Sequence, residues 1–177
     1  MLTIKEIEKF VEPFYQNKDI MHNLSHIRRI LKTAKMLMKY YDNEIDKDLI
    51  IYGAYFHGII YENESQIYKF LKSKDLSNEK INKILQVSWE SQKEKAPETL
   101  EGKILHDAHL IEGGTTFLIV KSLITGTLRG QTLEETIEYI EKKILGKFTC
   151  YLPEAQNIYN EKEKFARKFL KDLKENL

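Results

Sequence analysis

Apolar residues recur at intervals of three and four along most of the chain, and no convincing pair of alternating strands interrupts them, so the pattern predicts an all-α protein. Thr3-Ile4-Lys5-Glu6 has the form of a capping box, in which a hydroxyl and a carboxylate satisfy the exposed donors of a helix start. Ile7, Phe10, Val11 and Phe14 follow at helical spacing and carry the first helix to about Tyr15. The clearest amphipathic stripe comes next, through Ile27, Ile30, Leu31, Ala34, Leu37, Met38 and Tyr41. Asp46 caps a third helix through Leu49, Ile50, Gly53, Phe56 and Ile60, apolar on nearly every side and therefore expected at the centre.

A short helix from Ser65 to Lys72 and another capped by Ser77, carrying Ile81, Ile84, Leu85 and Trp89, precede a polar loop from Gln92 to Pro97. Leu100 to Ile111 reads as a helix that breaks at Gly113-Gly114, before an apolar run from Phe117 to Ile124. Thr132-Leu133-Glu134-Glu135 repeats the capping box, Gly146 closes that helix, and Pro153 sits in the first turn of the last one.

With 177 residues, 42% of them hydrophobic and 31% charged, the chain is long enough to bury a core, and a single domain over 1–177 is the expectation. Twenty-eight basic against 27 acidic residues leave a formal charge of +1, so no global field favours nucleic acid or anionic lipid, and any anion site must be local. The one cysteine, Cys150, has no internal disulfide partner, the first ten residues alternate in charge where a signal peptide needs an apolar stretch, and no apolar run approaches membrane-spanning length. A cytoplasmic protein is expected.

The candidate chemistry lies in five histidines and one carboxylate. His22 and His26 are one helical turn apart on a shared face, an arrangement suited to metal ligation and equally compatible with two polar residues near a helix start. His57 lies among Ala54, Phe56, Ile59 and Ile60, where a buried imidazole needs a hydrogen-bond or metal partner. Asp107 sits in a mostly apolar helix and needs something positive, either a basic side chain or a divalent cation. His106 and His109 flank it, but at about 100° of rotation per residue at most one of them can face the same point as Asp107.

Ser25-His26-Ile27-Arg28-Arg29-Ile30, Tyr55-Phe56-His57-Gly58-Ile59 and Gly102-Lys103-Ile104-Leu105-His106-Asp107-Ala108 resemble, in order and separation, the motifs of the HD-domain superfamily of metal-dependent phosphohydrolases. Phe148-Thr149, Ala155 and the segment Glu163 to Leu170 resemble the end of its small single-domain bacterial and archaeal members. The resemblance implies a divalent metal ion (Mn, Ni, Co, Fe, Zn or Mg) held by His26, His57 and Asp107. It also implies hydrolysis of a phosphomonoester or phosphodiester in a nucleotide or small phosphorylated metabolite, with Arg29 forking onto phosphate and His22 as an outer partner or general acid.

The chain departs from the family at Gly58, which stands where a ligating aspartate is expected. Losing that carboxylate takes a divalent site from about neutral to about +1, weakening metal binding and strengthening the pull on phosphate. Glu62, Glu90 or Glu112 could supply a replacement, although each reads first as a solvated helix residue. Glu90 stands where related small members carry a histidine before serine, and His109 and Glu112 fall near acidic positions of the distal segment. Two expectations follow: an active hydrolase, or a catalytically inactive relative that binds a nucleotide or protein partner.

Overall fold

The computed structural model of the protein describes residues 2–177, and among them every regular element is helical. The nine α-helices are α1 (Ile4–Tyr15), α2 (Leu24–Met38), α3 (Lys47–Phe56), α4 (Ile60–Lys72), α5 (Asn78–Glu90), α6 (Leu100–Leu110), α7 (Phe117–Leu128), α8 (Leu133–Tyr139) and α9 (Pro153–Glu175). Both capping boxes form: Thr3 and Thr132 accept from the backbone of Glu6 and Glu135, whose carboxylates reach back to the caps. Asp46 and Ser77 cap α3 and α5 through their side chains. No helix is long and apolar enough to cross a membrane among the described residues.

The chain divides into two compact units, one running to His109 and the other from Leu110 to Leu177. In the first, α3 is central and packs against α1, α2 and α5. Ile7, Val11, Ile27, Ile30, Leu37, Ile50, Phe56 and Ile84 are fully buried there, each on the apolar stripe of its helix. Gly53 lets α3 approach its neighbours closely, since a Cβ at that position would stand 2.9 Å from Val87 Cγ1 and 3.3 Å from Leu105 Cδ2. In the second unit, Leu118, Ile119, Ile137, Ile140, Ala166 and Leu170 form the core. There α8 continues as a π-helical turn at Ile140–Ile144, and the chain turns at Gly146, whose φ of 72° suits glycine.

One boundary differs from the periodicity in a way that shapes the site. The apolar pattern runs α3 through to Ile60, but the helix ends at Phe56, residues 57–59 form a turn, and α4 begins at Ile60, before the expected Ser65. Side chains from the α1 region hold this break open. Tyr15 accepts the Gly58 N–H at 3.1 Å and donates its own proton to the Tyr55 carbonyl at 3.1 Å, while the Lys18 ammonium donates to the Gly58 carbonyl at 2.6 Å. With both polar groups of Gly58 engaged outside the helix, the regular ladder has no hold on that peptide. Hydrophobic period cannot register such a competition, because the residues on either side of the break are equally apolar.

Candidate metal centre

Three imidazoles converge in the first unit, each from a different helix: His26 in the first turn of α2, His57 immediately after α3, and His109 in the last turn of α6. Their ring centroids stand 5.8 Å (His26–His57), 5.2 Å (His26–His109) and 4.4 Å (His57–His109) apart. One nitrogen from each ring lies within 4.8 Å of the other two. Nitrogens around a tetrahedral ion with metal–nitrogen bonds of about 2.0–2.1 Å stand about 3.4 Å apart, so modest ring rotations close the set. His26 and His57 are buried and His109 is half-buried. The residues present therefore fit a cation that prefers imidazole nitrogen.

The protonation of His57 follows from counting hydrogens around it. Its Nδ1 is 2.7 Å from Ser91 Oγ, and Ser91 spends its single hydroxyl proton on the Ser88 carbonyl at 2.6 Å. The Gln92 amide group, 3.2 Å from Nδ1, has its two protons directed at the His57 carbonyl (2.8 Å) and the Ser88 carbonyl (3.1 Å). With the hydroxyl proton on the Ser88 carbonyl, the proton between Nδ1 and Ser91 is the imidazole's own. Nε2 is left as the lone-pair nitrogen, the form in which an imidazole ligates metal. Ser91 and Gln92 are both buried at the end of α5, so this arrangement is fixed by packing and not by a mobile loop.

Asp107 does not belong to the three-residue group. It is fully buried, with Oδ1 2.9 Å from Nδ1 of the neighbouring His106. Residues 107 and 109 lie about 200° apart around α6, and it is His109 that joins the other two imidazoles. His22 stands beside the cluster, its ring centroid 5.8 Å from that of His26, and its Nδ1 is 2.8 Å and 2.9 Å from the two oxygens of Asp19. Burial raises the Asp19 pKa, but the hydrogen bonds from His22 and from the Met21 and His22 backbone outweigh it and hold the carboxyl below its ordinary value. An ionised Asp19 only accepts, so the His22 Nδ1 beside it carries a proton and Nε2 is the ring nitrogen outside that bond.

Arg29 directs its guanidinium to Ser25 Oγ at 2.9 Å and the Met21 carbonyl at 3.1 Å, tying the turn that carries His22 to α2. The candidate replacement carboxylates are separately engaged. Glu90 is buried and accepts from Thr99, whose hydroxyl makes a very short contact with it, and from Gln86 at 2.8 Å. Glu112, in the second unit, is buried against Lys121 at 2.6 Å, and Glu62 is exposed. At Gly58, an added Cβ would meet the Tyr15 hydroxyl at 2.7 Å and Cε1 at 3.0 Å, so an aromatic ring fills the space into which a side chain there would grow.

With this geometry in place, the chain can be set beside proteins of known structure. The chain shares the fold of Bacillus subtilis YpgQ. The YpgQ crystal structure in complex with ADP matches with a TM-score of 0.79 at 16% identity, covering 99% of this chain and 98% of that one. A second YpgQ structure matches at 0.77 and 15% identity, covering 98% and 96%. The Lin1889 protein of Listeria innocua matches at 0.72 and 20% identity, again covering 98% and 96%. No family model and no curated protein matches the sequence.

The expected ligand set was His26, His57 and Asp107, with at most one of His106 and His109 beside Asp107; the three residues that converge are His26, His57 and His109. The available signal was the 100° rotation, which separates 107 from 109 without saying which faces inward. Tyr15, Lys18, Asp19, Ser91 and Gln92 carried no signal of their own, because each acts through a contact distant in sequence or through a local turn that periodicity does not register.

Proposed function

We propose that the protein is an HD-type phosphohydrolase that uses a divalent ion held by His26, His57 and His109 to act on a nucleotide or similar small phosphorylated substrate. The observation that carries this reading is the convergence of three imidazoles from three parts of the helical unit, one of them bonded at Nδ1 to the buried Ser91. The shared fold with YpgQ, a protein crystallised with ADP, supports the nucleotide class of substrate. Three neutral nitrogen ligands suit zinc, cobalt or nickel better than magnesium or manganese, which favour oxygen. When bound, such an ion lowers the pKa of water and polarises a phosphoryl oxygen.

The remaining chemistry belongs to the chain. A set of ligands without a carboxylate leaves the full cationic charge to be met by substrate phosphate. His22, oriented by Asp19, offers Nε2 as a proton acceptor for an attacking water and, once protonated, as a donor to a leaving oxygen. Ser91 holds the proton of His57 at Nδ1 and so keeps the ligand nitrogen turned to the cluster.

Metal analysis of the purified chain, followed by phosphoester assays with added zinc, cobalt, nickel, manganese and magnesium, tests the proposal. Bound metal and turnover are expected, both lost in His26→Ala, His57→Ala and His109→Ala. A folded protein that takes up none of these ions refutes it. One observation favours a second reading, a nucleotide-binding protein without turnover: the position of the expected fourth ligand is glycine, with Tyr15 against it. Metal and nucleotide binding without hydrolysis of any phosphoester selects that reading.

A further inference from the structure

Beside the imidazole cluster, one peptide from His57, a cleft of about 360 Å³ is lined by Phe14, Lys18, Gly58, Tyr61, Glu62 and Asn63. Its size falls in the range of small-ligand sites. The chemistry along its walls is asymmetric. Lys18 is half-buried and gives one proton to the Gly58 carbonyl at 2.6 Å, and its ammonium lies 5.6 Å from the Tyr15 ring centroid. An ammonium has three protons to give. Among the described residues no carboxylate lies within 4.0 Å of it, Glu62 included, although both side chains line the same cleft. A partly desolvated cation without an internal counter-charge is a ready partner for an anion from outside.

Tyr61 gives the cleft a fixed aromatic wall. Its ring is 57% exposed, yet it stands nearly perpendicular to Trp89 with centroids 4.8 Å apart, and its hydroxyl donates to Glu94 at 3.4 Å. Trp89 is in turn held by its indole N–H to Glu64 at 2.7 Å. An exposed aromatic face whose orientation is set by a second anchored ring is already ordered for stacking. At Asn63 the amide group donates to the Ile59 carbonyl at 3.2 Å, which turns its own carbonyl oxygen, an acceptor, away from that bond. Glu62 adds a second acceptor.

We propose that this cleft is the nucleoside subsite of the protein, with the base stacked on Tyr61, sugar hydroxyls donating to Glu62 and Asn63, and the phosphate held by Lys18 beside Gly58. The inference rests on the phosphohydrolase reading and adds to it the residues that select a nucleotide over a bare phosphate. Charge sets the preference of the ligand: phosphate is drawn to Lys18, which bonds the residue after His57, and repelled by Glu62.

Calorimetric titration of the full-length protein with ADP and, separately, with inorganic pyrophosphate tests the assignment in wild type, Lys18→Gln and Tyr61→Ala. Neither substitution removes an imidazole, and because Lys18→Gln also removes the bond to the Gly58 carbonyl, circular dichroism and metal content are measured on each variant so that a disturbed turn at His57 is distinguished from a lost ligand contact. Lys18→Gln should weaken both ligands by about tenfold or more, the loss of a hydrogen bond between charged groups. Tyr61→Ala should weaken ADP by about five- to a hundredfold, the range for one stacked base, and leave pyrophosphate within about twofold. If wild type binds ADP and both variants bind it equally well, the subsite is wrong while the phosphohydrolase reading stands. Equal weakening of both ligands by Tyr61→Ala refutes the stacking role, and binding of pyrophosphate but not ADP by wild type refutes the nucleoside assignment. Wild type that binds neither ligand overturns the nucleotide reading, and the subsite falls with it.

Discussion

Ser91→Ala removes one oxygen atom and changes the proton balance around His57. In the native arrangement the hydroxyl oxygen accepts Nδ1–H at 2.7 Å, and Gln92 Nε2 waits 3.2 Å from the same nitrogen with its protons directed at two carbonyls. Without the hydroxyl, the buried Nδ1–H has no acceptor there, a loss of about 1–3 kcal/mol. The imidazole can recover part of it by moving its proton to Nε2 and accepting from Gln92 at Nδ1, which blocks the ligand nitrogen. At about 1.4 kcal/mol per tenfold, metal affinity should fall by about 10- to 100-fold, the usual consequence of losing the outer partner of a metal histidine. Competition against a chromophoric chelator measures the affinity, and two-bond nitrogen–proton NMR correlations of the metal-free protein read the tautomer directly. Ser91→Thr keeps the hydroxyl and should restore both. An alanine variant with native metal affinity, or a wild-type His57 protonated at Nε2, refutes the reasoning.

The distal helix offers a second discrimination: His109→Ala should abolish high-affinity metal binding with a small change in thermal stability, because the side chain is only half-buried. Asp107→Ala should instead destabilise the fold by about 2–4 kcal/mol, since it leaves a fully buried His106 contact broken, as a denaturant titration will show. Gly58→Asp alone should lower stability by about 1–3 kcal/mol and gain no metal affinity, because its Cβ meets Tyr15 at 2.7 Å, whereas Tyr15→Ala with Gly58→Asp should bind metal more tightly than Tyr15→Ala alone in the same chelator competition. The Glu6 carboxyl is held down at about 2 from 4.5, first by the hydrogen bond from Lys74 and then by those from Thr3, so its contribution is complete above about 4.5 and is lost as pH falls towards about 2. Glu6→Gln should therefore differ from wild type in chemical denaturation near neutrality and converge with it at the acid end; a constant difference across that window refutes the linkage.

The parts of this fold legible in the sequence were those governed by local rules. The hydroxyl caps at Thr3, Ser77 and Thr132 and the stripe of α2 depend on residues three or four apart, and they form where the pattern places them. The break after Phe56 was not legible, because it depends on Tyr15 and Lys18 reaching a peptide some 40 residues away. The site divides along the same line. His57 stood out as an imidazole in an apolar segment and His26 through its place in the first motif, while the orientation of α6, which brings His109 into the group, is fixed by packing. Gly102 is one such constraint, since a Cβ there would run into the Glu90 carboxylate, which itself bonds Thr99 just before α6.

The Tyr15 ring against Gly58 also constrains how this chain can change by single substitutions. A codon change at position 58 that introduces a carboxylate meets an occupied space, and a change at position 15 that clears the space removes the hydroxyl bridging the Gly58 N–H and the Tyr55 carbonyl. Each step alone loses something, and only the pair can place an aspartate after His57 without a clash. The two positions are coupled: with glycine and tyrosine settled against each other, either single change passes through a less stable protein, so packing alone disfavours a carboxylate at position 58.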